Sequence, residues 1–168
     1  MITDKSFFRQ DATVLAPALV GKLLVRRLDD GSLIKLRITE TEAYCGVSDT
    51  ACHAHKGRTK RNELLWRDGG TVYVYLCYGI HWLMNIISGE AEDPQGVLIR
   101  CCAGAEGPGR LTKALCIDGS FNGLDITGCP SLWIEDDGLE VDIIRDKRVG
   151  INYADEKDRE SKLRYIMK

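Results

Sequence analysis

The segment Leu33–Thr39 alternates apolar and polar residues, and this alternation constrains the fold more than any other feature of the sequence. Successive side chains of a strand point to opposite faces, so the even-numbered residues of this segment, all aliphatic, share one face. A second strand is predicted over Leu23–Leu28, and the intervening Asp29-Asp30-Gly31-Ser32 is typical of a hairpin turn. The pattern therefore predicts an antiparallel sheet with one apolar face.

Two glutamates and a tyrosine follow directly on this strand. If the alternation continues, Glu40, Glu42 and Tyr44 lie on the same face as the aliphatic residues. A carboxylate on a core-side face needs a partner or a chemical role. Paired acids suit general acid–base catalysis. From spacing alone, however, an ion pair with Arg or Lys on a neighbouring strand is the more common explanation.

A second alternating run spans Thr71–Cys77 and is rich in valine and tyrosine, which favours a strand. Its two tyrosines share one face, and Tyr78-Gly79 forms the predicted tip of a hairpin that returns over His81–Ile87. Together with Tyr44, these tyrosines could form a stacking platform for a nucleobase. Strand tyrosines are nevertheless more often ordinary sheet residues, so spacing alone leaves both interpretations open.

The rest of the chain adds short helices and further strands. These are predicted at Ala12–Val20, Asn62–Trp66 and Arg110–Cys116 for helices, and at Val97–Cys102, Leu132–Glu135, Val141–Arg145 and Leu163–Met167 for strands. We expect the two strands on either side of Asp136-Asp137-Gly138 to form a late hairpin. The succession of hairpins predicts an α+β fold, and residues 1–168 are expected to form a single domain.

Composition excludes several classes of protein. A chain of 168 residues with 44% hydrophobic residues can bury a core and is not disordered. No apolar run approaches the length of a membrane span, and Met1–Lys5 does not begin a secretion signal. We therefore expect a protein of the cytoplasm or nucleus that is neither secreted nor membrane-bound. The seven cysteines form no even framework, which favours free thiols.

Charge is nearly balanced overall but unevenly distributed. The 23 Lys and Arg residues against 25 Asp and Glu argue weakly against a nucleic-acid partner, which usually selects a basic face. The run Lys56–Arg61, however, holds four cations and no acid. Such a run is either a solvated loop or a clamp for phosphate.

A zinc site is an alternative use of the central residues. The candidate ligands are Cys45, Cys52, His53, His55 and Cys77. Zinc sites generally use two tightly spaced pairs, and only the two histidines are tightly spaced here. The spacing therefore gives the metal interpretation little support.

The order of the motifs is more informative than any one of them. The order along the chain is Glu42-Ala43-Tyr44, His53, Arg61-Asn62, Tyr73-Val74-Tyr75-x-x-Tyr78-Gly79-x5-Asn85, Val97-Leu98-Ile99-Arg100, and Gly107-Pro108-Gly109-Arg110-Leu111-Thr112-x-Ala114-Leu115. This succession resembles the alkyladenine (3-methyladenine) DNA glycosylase family over most of the chain, from about Asp11 to Tyr153. One departure is Lys60, which stands where the family commonly has a proline.

The resemblance implies an activity and a partner. The family flips a damaged purine out of double-stranded DNA and hydrolyses its N-glycosidic bond, leaving an abasic site. The resemblance also implies a monomer whose fold is a curved, mainly antiparallel sheet. It implies that neither a metal nor an organic cofactor is required. No lysine nucleophile for strand cleavage is evident, so a monofunctional enzyme is expected. A non-catalytic nucleic-acid-binding module is the alternative.

The matched positions also imply roles for individual residues. Glu42 matches the general base that activates water, and Arg100 matches the cation that helps to hold it. The expected walls of the base pocket are Tyr44, His53 and Tyr75, with Asn85 as a gate at its floor. Tyr78 matches the wedge that fills the gap in the duplex. The expected contacts to the DNA backbone are Arg58, Arg61 and Arg110.

Overall fold

The computed structural model describes residues 1–168 and contains nine strands and three α-helices. The strands are β1 (Leu23–Arg27), β2 (Leu33–Tyr44), β3 (Val72–Cys77), β4 (His81–Ser88), β5 (Gln95–Cys102), β6 (Ala105–Glu106), β7 (Leu132–Glu135), β8 (Ile143–Asp146) and β9 (Arg164–Met167). The α-helices are α1 (Ala12–Leu19), α2 (Pro108–Ala114) and α3 (Glu156–Glu160). Short 3-10 helices lie at Lys5–Phe7, Gly46–Ser48, Glu63–Trp66 and Gly119–Phe121.

All nine strands belong to one curled sheet, in which every pairing between strands is antiparallel. Its main path is β3-β4-β5-β2-β1-β7, while β9 pairs with β2, β8 with β9 and β6 with β5. The long strand β2 is the centre of this arrangement because it contacts β5 along one edge and both β1 and β9 along the other. The predicted α+β fold with a curved antiparallel sheet is confirmed.

Helices α1 and α2 cover one face of the sheet and form the main core with it. That core holds 26 buried residues, with alternate positions of β3, β4 and β5 supplying its sheet side. Pro17 lies inside α1 and cannot donate a hydrogen bond to the carbonyl of Thr13. The Tyr165 hydroxyl donates to that carbonyl instead, at 3.3 Å, and so links β9 to the helix.

The strand β2 continues to Tyr44, beyond its predicted end at Thr39, but its alternation is interrupted. The register with β5 shifts between Ile38 and Glu40 and again between Glu40 and Thr41. Shifts of this kind rotate the residues that follow about the strand axis.

The expectation that Glu42 and Tyr44 extend the apolar face is therefore wrong. Thr41 and Ala43 occupy the core face, since the Thr41 hydroxyl donates to the carbonyl of Ala16 in α1 at 2.8 Å and Ala43 belongs to the main core. Glu42 and Tyr44 consequently point to the opposite face of the sheet. That second face carries the candidate site.

The late hairpin predicted from Leu132–Glu135 and Val141–Arg145 is also wrong, because β7 pairs with β1 and β8 pairs with β9. The two aspartates that follow β7 form ion pairs with Lys22 and Arg37, each at 2.7 Å. These bonds hold the connecting segment against the β1–β2 part of the sheet, so it does not turn back on β7.

The other predicted elements are confirmed with small changes at their ends. Helix α2 begins two residues before the predicted Arg110, because Pro108 has the backbone angle that suits a first helical residue. Asp11 precedes α1, but its side chain makes no capping bond, and the Ala12 amide donates to the side chain of Gln95 at 2.9 Å. No helix combines the length and the apolar character needed to cross a membrane.

Candidate active site

A groove opens on the face of the sheet that the core does not cover. Its volume is about 830 Å³, in the range of ligand-binding clefts. Strands β2 to β5 supply its base, and two non-strand segments supply its sides: the loop that contains His53 and Arg61, and a segment over residues 149–155. A smaller inner pocket continues from the groove towards Asn85.

The carboxylate of Glu42 lies directly beneath the groove and is 0% exposed. Its Oε1 accepts the Val149 N–H at 2.8 Å, and its Oε2 accepts the Tyr44 hydroxyl at 2.9 Å. The Nε of Arg100 lies 3.7 Å from Oε1. All three neighbours line the groove, so Glu42 is separated from it by a single layer of residues.

Burial raises the pKa of Glu42 above its ordinary value. Arg100, the Val149 amide and the Tyr44 hydroxyl act in the opposite direction, and Glu40 adds to the rise. The net result is a carboxyl group whose pKa is closer to neutral pH than that of an exposed glutamate. Such a shift suits a general base.

An ion pair with arginine on a neighbouring strand, the alternative to a catalytic role, is found at Glu40. Its Oε1 lies 2.9 Å from Arg100 Nε and 3.2 Å from Arg164 Nη1. Glu42 has only the longer contact with Arg100. The two neighbouring acids thus differ in environment: Glu40 is paired with two arginines, and Glu42 is buried beneath the groove.

Three aromatic rings form one continuous wall of the groove. The centroids of His53 and Tyr75 are 4.6 Å apart, and those of Tyr73 and Tyr75 are 5.4 Å apart. The Tyr73 hydroxyl lies 3.1 Å from His53 Nδ1. Because these rings contact one another, no planar ligand fits between them. A stacked base would need to lie between this wall and Tyr44, which lines the same cavity from β2.

The surroundings of His53 favour the neutral form of its imidazole. Burial lowers its pKa from the ordinary value, and the positive charge of Arg61 lowers it further. A neutral ring in this wall adds no positive charge to the groove.

The buried side chain of Asn62 holds the loop that carries His53 and Arg61. Its Nδ2 donates to the carbonyls of His53 and Gly57 at 2.8 and 3.0 Å, and its Oδ1 accepts the Thr59 amide at 2.6 Å. The loop therefore has a fixed course, although Lys60 departs from the family pattern.

Asn85 lies on β4 and lines the inner pocket. Its side chain is buried, and its Nδ2 donates to the carbonyl of Tyr73 on the adjacent strand at 3.2 Å. This bond fixes the plane of the amide at the end of the pocket.

Tyr78 occupies the tip of the β3–β4 hairpin and is 90% exposed. Its φ is +52°, next to Gly79 at +71°. A left-handed conformation costs a non-glycine residue about 1–2 kcal/mol. A large aromatic residue in this conformation, with little to pack against, indicates a functional role rather than a structural one.

The cations predicted to contact DNA differ in their surroundings. Arg61 lines the groove, as does Lys56. Arg58 does not line it, because its guanidinium binds Glu92 at 3.1 Å. Arg110 is exposed at the start of α2, where its Nη1 donates to a backbone carbonyl of the same segment at 3.4 Å.

Sequence reasoning missed the segment that covers the groove from the C-terminal side. Val149 supplies the amide on Glu42, and Tyr153 lines both the groove and the inner pocket. Arg148 lies behind Tyr44 and binds Asp49. No local spacing could have revealed these contacts, since they join residues about one hundred positions apart.

The proposed zinc ligands do not converge. No group of three or more His, Cys, Asp or Glu side chains is arranged to hold a metal ion. His55 Nδ1 lies 2.9 Å from the carbonyl of Val47, whereas His53 faces Tyr73. The geometry therefore gives the zinc alternative no support.

A carboxylate under an aromatic groove suits an enzyme that removes a base from DNA, and comparison with known proteins gives the same class, the DNA glycosylases. Residues 6–106 and 102–168 match the family model described as methylpurine-DNA glycosylase (MPG). The chain therefore belongs to the methylpurine-DNA glycosylase family.

Individual relatives agree with this membership. A Borreliella afzelii (strain PKo) protein named "Putative 3-methyladenine DNA glycosylase" is 43% identical over 169 residues, covering 92% of this chain and 90% of its own length. A Psychrobacter cryohalolentis protein of the same name is 40% identical over 194 residues, covering 98% of this chain and 91% of its own length. The resemblance seen in the motifs is thus confirmed along nearly the whole chain.

Proposed function

We propose that this protein is a monofunctional glycosylase that removes alkylated purines from double-stranded DNA and leaves an abasic site for base excision repair. It acts as a monomer built from one domain over residues 1–168, in a compartment that contains DNA, and it needs no metal or organic cofactor. The observation that carries the proposal is Glu42, a buried carboxylate beneath an aromatic groove. Binding a base would not require it, whereas hydrolysis does.

In the proposed reaction, Glu42 accepts a proton from water. Each carboxylate oxygen already accepts one hydrogen bond and has a further lone pair for that water. The water oxygen bonds to the sugar C1′, the bond from C1′ to the purine nitrogen breaks, and its electron pair leaves with the base. Arg100 stabilises the ionised form of Glu42.

The damaged base is proposed to stack between Tyr44 and the wall formed by His53 and Tyr75. Alkylated purines such as 3-methyladenine carry positive charge, which electron-rich rings attract. A charged base is also a good leaving group, so a single carboxylate and a shaped pocket are sufficient for the chemistry.

The activity is tested by measuring base release from duplexes that each carry one defined lesion, in a buffer with a chelator. We expect release of a free base and a strand that breaks only on later alkaline treatment of the abasic site. A protein that binds these duplexes without releasing any base would be the binding module instead. Immediate strand cleavage would contradict a monofunctional mechanism.

Replacing Tyr78 by alanine is expected to weaken binding to a lesion duplex more than it slows base release from a single strand. The exposed ring is placed to fill the space that a flipped nucleotide leaves in the duplex, and a single strand has no such space. Affinity and single-turnover release are measured on both substrates. Tyr78→Gly serves as a matched variant, since it relieves the left-handed backbone and should not lower stability. Equal losses on both substrates would mean that the ring acts elsewhere.

Binding to DNA is expected to weaken steeply with salt, although the net charge of the chain is -2. Each phosphate contact should contribute about -0.9 to the slope of log K against log salt. Arg61→Gln should remove about one such contact, because Arg61 lines the groove. Arg58 can contact a phosphate only if its ion pair with Glu92 breaks. The salt slope of Arg58→Gln therefore shows whether Arg58 exchanges Glu92 for phosphate when DNA binds. A flat salt response of the wild-type protein would exclude backbone contacts by these cations.

The rate of base release from a duplex with one alkylated purine is expected to rise with pH through the pKa of Glu42 and then level off. Only the ionised carboxylate accepts a proton, and burial raises its pKa, so the rise falls above the pH at which an exposed glutamate ionises. Glu40→Gln removes a negative neighbour that contributes to the raised pKa of Glu42. The rise should therefore move to lower pH in this variant. An unchanged profile would contradict Glu42 as the titrating base.

A further inference from the structure

We infer that Arg148 is a positioning residue that holds the three consecutive residues Glu42, Ala43 and Tyr44 in their working geometry, with Asp49 as its anchor. The inference rests on the proposed role of Glu42. Arg148 and Asp49 both lie outside the residues that the motif order singled out.

Arg148 and Val149 contact each of those three residues in turn. The Val149 N–H donates to Glu42 Oε1 at 2.8 Å. Nη1 of Arg148 donates to the Ala43 carbonyl at 2.9 Å. The guanidinium carbon of Arg148 lies 4.7 Å from the centroid of the Tyr44 ring. One arginine thus fixes the carboxylate indirectly, through the adjacent amide, and fixes the stacking ring directly.

Asp49 holds this arginine in place. Its Oδ2 and Oδ1 accept Nη1 and Nη2 of Arg148 at 2.6 and 2.8 Å, and the two side chains are 4% and 0% exposed. The same carboxylate accepts the amides of Cys45 and Ala51, each at 3.0 Å. Asp49 therefore ties the end of β2, the loop that follows it and the segment at Val149 into one unit.

The composition of this pair indicates a role other than stability. A buried ion pair loses hydration, and well-packed apolar residues often stabilise such a site as well or better. The Nε of Arg148 is also buried without a hydrogen-bond partner. The pair instead orients the groups around it, because the planar guanidinium of arginine can hold a carboxylate and a backbone carbonyl at fixed angles.

Loss of the pair should affect chemistry more than binding. Without it, the segment keeps the bonds of Tyr153 and Asp155 to the loop after β2 but loses the anchor next to the Val149 amide. Tyr44 also loses the group behind its ring. Misplacement of a catalytic group by about 1 Å can slow a reaction roughly 10²-fold. We expect a decrease of this size in single-turnover base release, with a smaller change in affinity for lesion DNA.

The test uses two variants that leave no lone buried charge. Arg148→Met with Asp49→Asn removes both charges at similar volume, and the single asparagine Oδ1 keeps an acceptor for one of the two loop amides. Arg148→Lys keeps the charge but lacks the fork that reaches Asp49 and the Ala43 carbonyl together. The matched control is Arg37→Met with Asp137→Asn. Arg37, on β2, forms a two-point pair with Asp137 at 3.1 and 2.7 Å and also donates to a backbone carbonyl, but this pair is partly exposed and lies away from the groove.

The decisive readout is the titration of the Glu42 carboxyl group, followed by carbon NMR in the free protein and by the pH dependence of base release. The groups that face Glu42 are Tyr44 and Glu40 on its own strand, Arg100 on β5, Tyr75 on β3, Tyr153 and the Val149 amide on the covering segment, and Arg164 on β9 through Glu40. Of these, Arg148 positions two, the Val149 amide and the Tyr44 ring. Both lower the pKa of Glu42, so their displacement should move the titration to higher pH.

The inference predicts a higher Glu42 titration and slower release in both variants, with the control unchanged from wild type. A folded variant of either kind with wild-type titration and rate would overturn it. A wild-type protein that releases no base would instead count against the proposed function. The NMR titration would still decide the positioning question, because it does not depend on activity.

Discussion

Glu42→Gln is expected to slow base release by about 10²–10⁴-fold, the usual contribution of a general base, while binding to lesion DNA changes little. An amide cannot accept the proton from water, but it has nearly the same size and shape as the carboxylate. The measurement is single-turnover release from a duplex with one alkylated purine, with affinity measured on the same duplex.

The structure explains why this variant should fold. The glutamine oxygen can accept the Val149 N–H, and its amide nitrogen can donate to the Tyr44 hydroxyl oxygen, so both bonds of Glu42 have a counterpart. Because burial raises the pKa of Glu42 in the folded state, its ionised form opposes folding above the unfolded pKa. Glutamine removes that penalty. The variant should therefore unfold at the same or a higher temperature at neutral pH, and the difference should vanish in acid.

Two results would contradict this account of Glu42. Release at near-wild-type rates by a folded Glu42→Gln protein would exclude the carboxylate as the base. Loss of release together with loss of binding and stability would indicate a structural role.

Asn85→Ser is expected to admit guanine and to raise its excision from G·T mismatches by roughly a hundredfold. Guanine differs from hypoxanthine by one exocyclic amino group, and Asn85 lies at the end of the inner pocket. The bond from its Nδ2 to the Tyr73 carbonyl prevents the amide from rotating away. Exclusion by a fixed polar group or a clash can change a rate by about this factor.

An alkyladenine is the internal control for this variant. It has no 2-amino group, so its release should change far less than that of guanine when both are measured in parallel on matched duplexes. Activity on charged alkyladenines should survive. If Asn85→Ser folds and releases alkyladenine but gains nothing on guanine, Asn85 does not act as the gate.

The β3–β4 hairpin could be predicted from sequence because the residues that specify it are close together in the chain. Alternation in β3 places Tyr73 and Tyr75 on one face, and the glycine after Tyr78 marks the tip. The structure confirms both features. The role of each residue in this hairpin stays a prediction.

The environment of Glu42 could not be predicted in the same way. The two register shifts at Glu40 place one extra residue in β2 and one in β5 and so cancel, and the sequence of β2 alone does not mark them. The Val149 amide is 107 positions from Glu42, and Asp49 is 99 positions from Arg148. Contacts of this kind depend on how distant segments pack, and no periodicity records them.

The central claim is that the aromatic groove receives a flipped purine above Glu42. A crystal structure of the Glu42→Gln protein bound to a duplex with one alkylated purine tests this claim most directly. We predict the base between Tyr44 and the His53–Tyr75 wall, the Tyr78 ring in the vacated position of the duplex, and C1′ of the sugar facing residue 42. A lesion that stays stacked in the duplex, or a base bound outside this groove, would contradict the account.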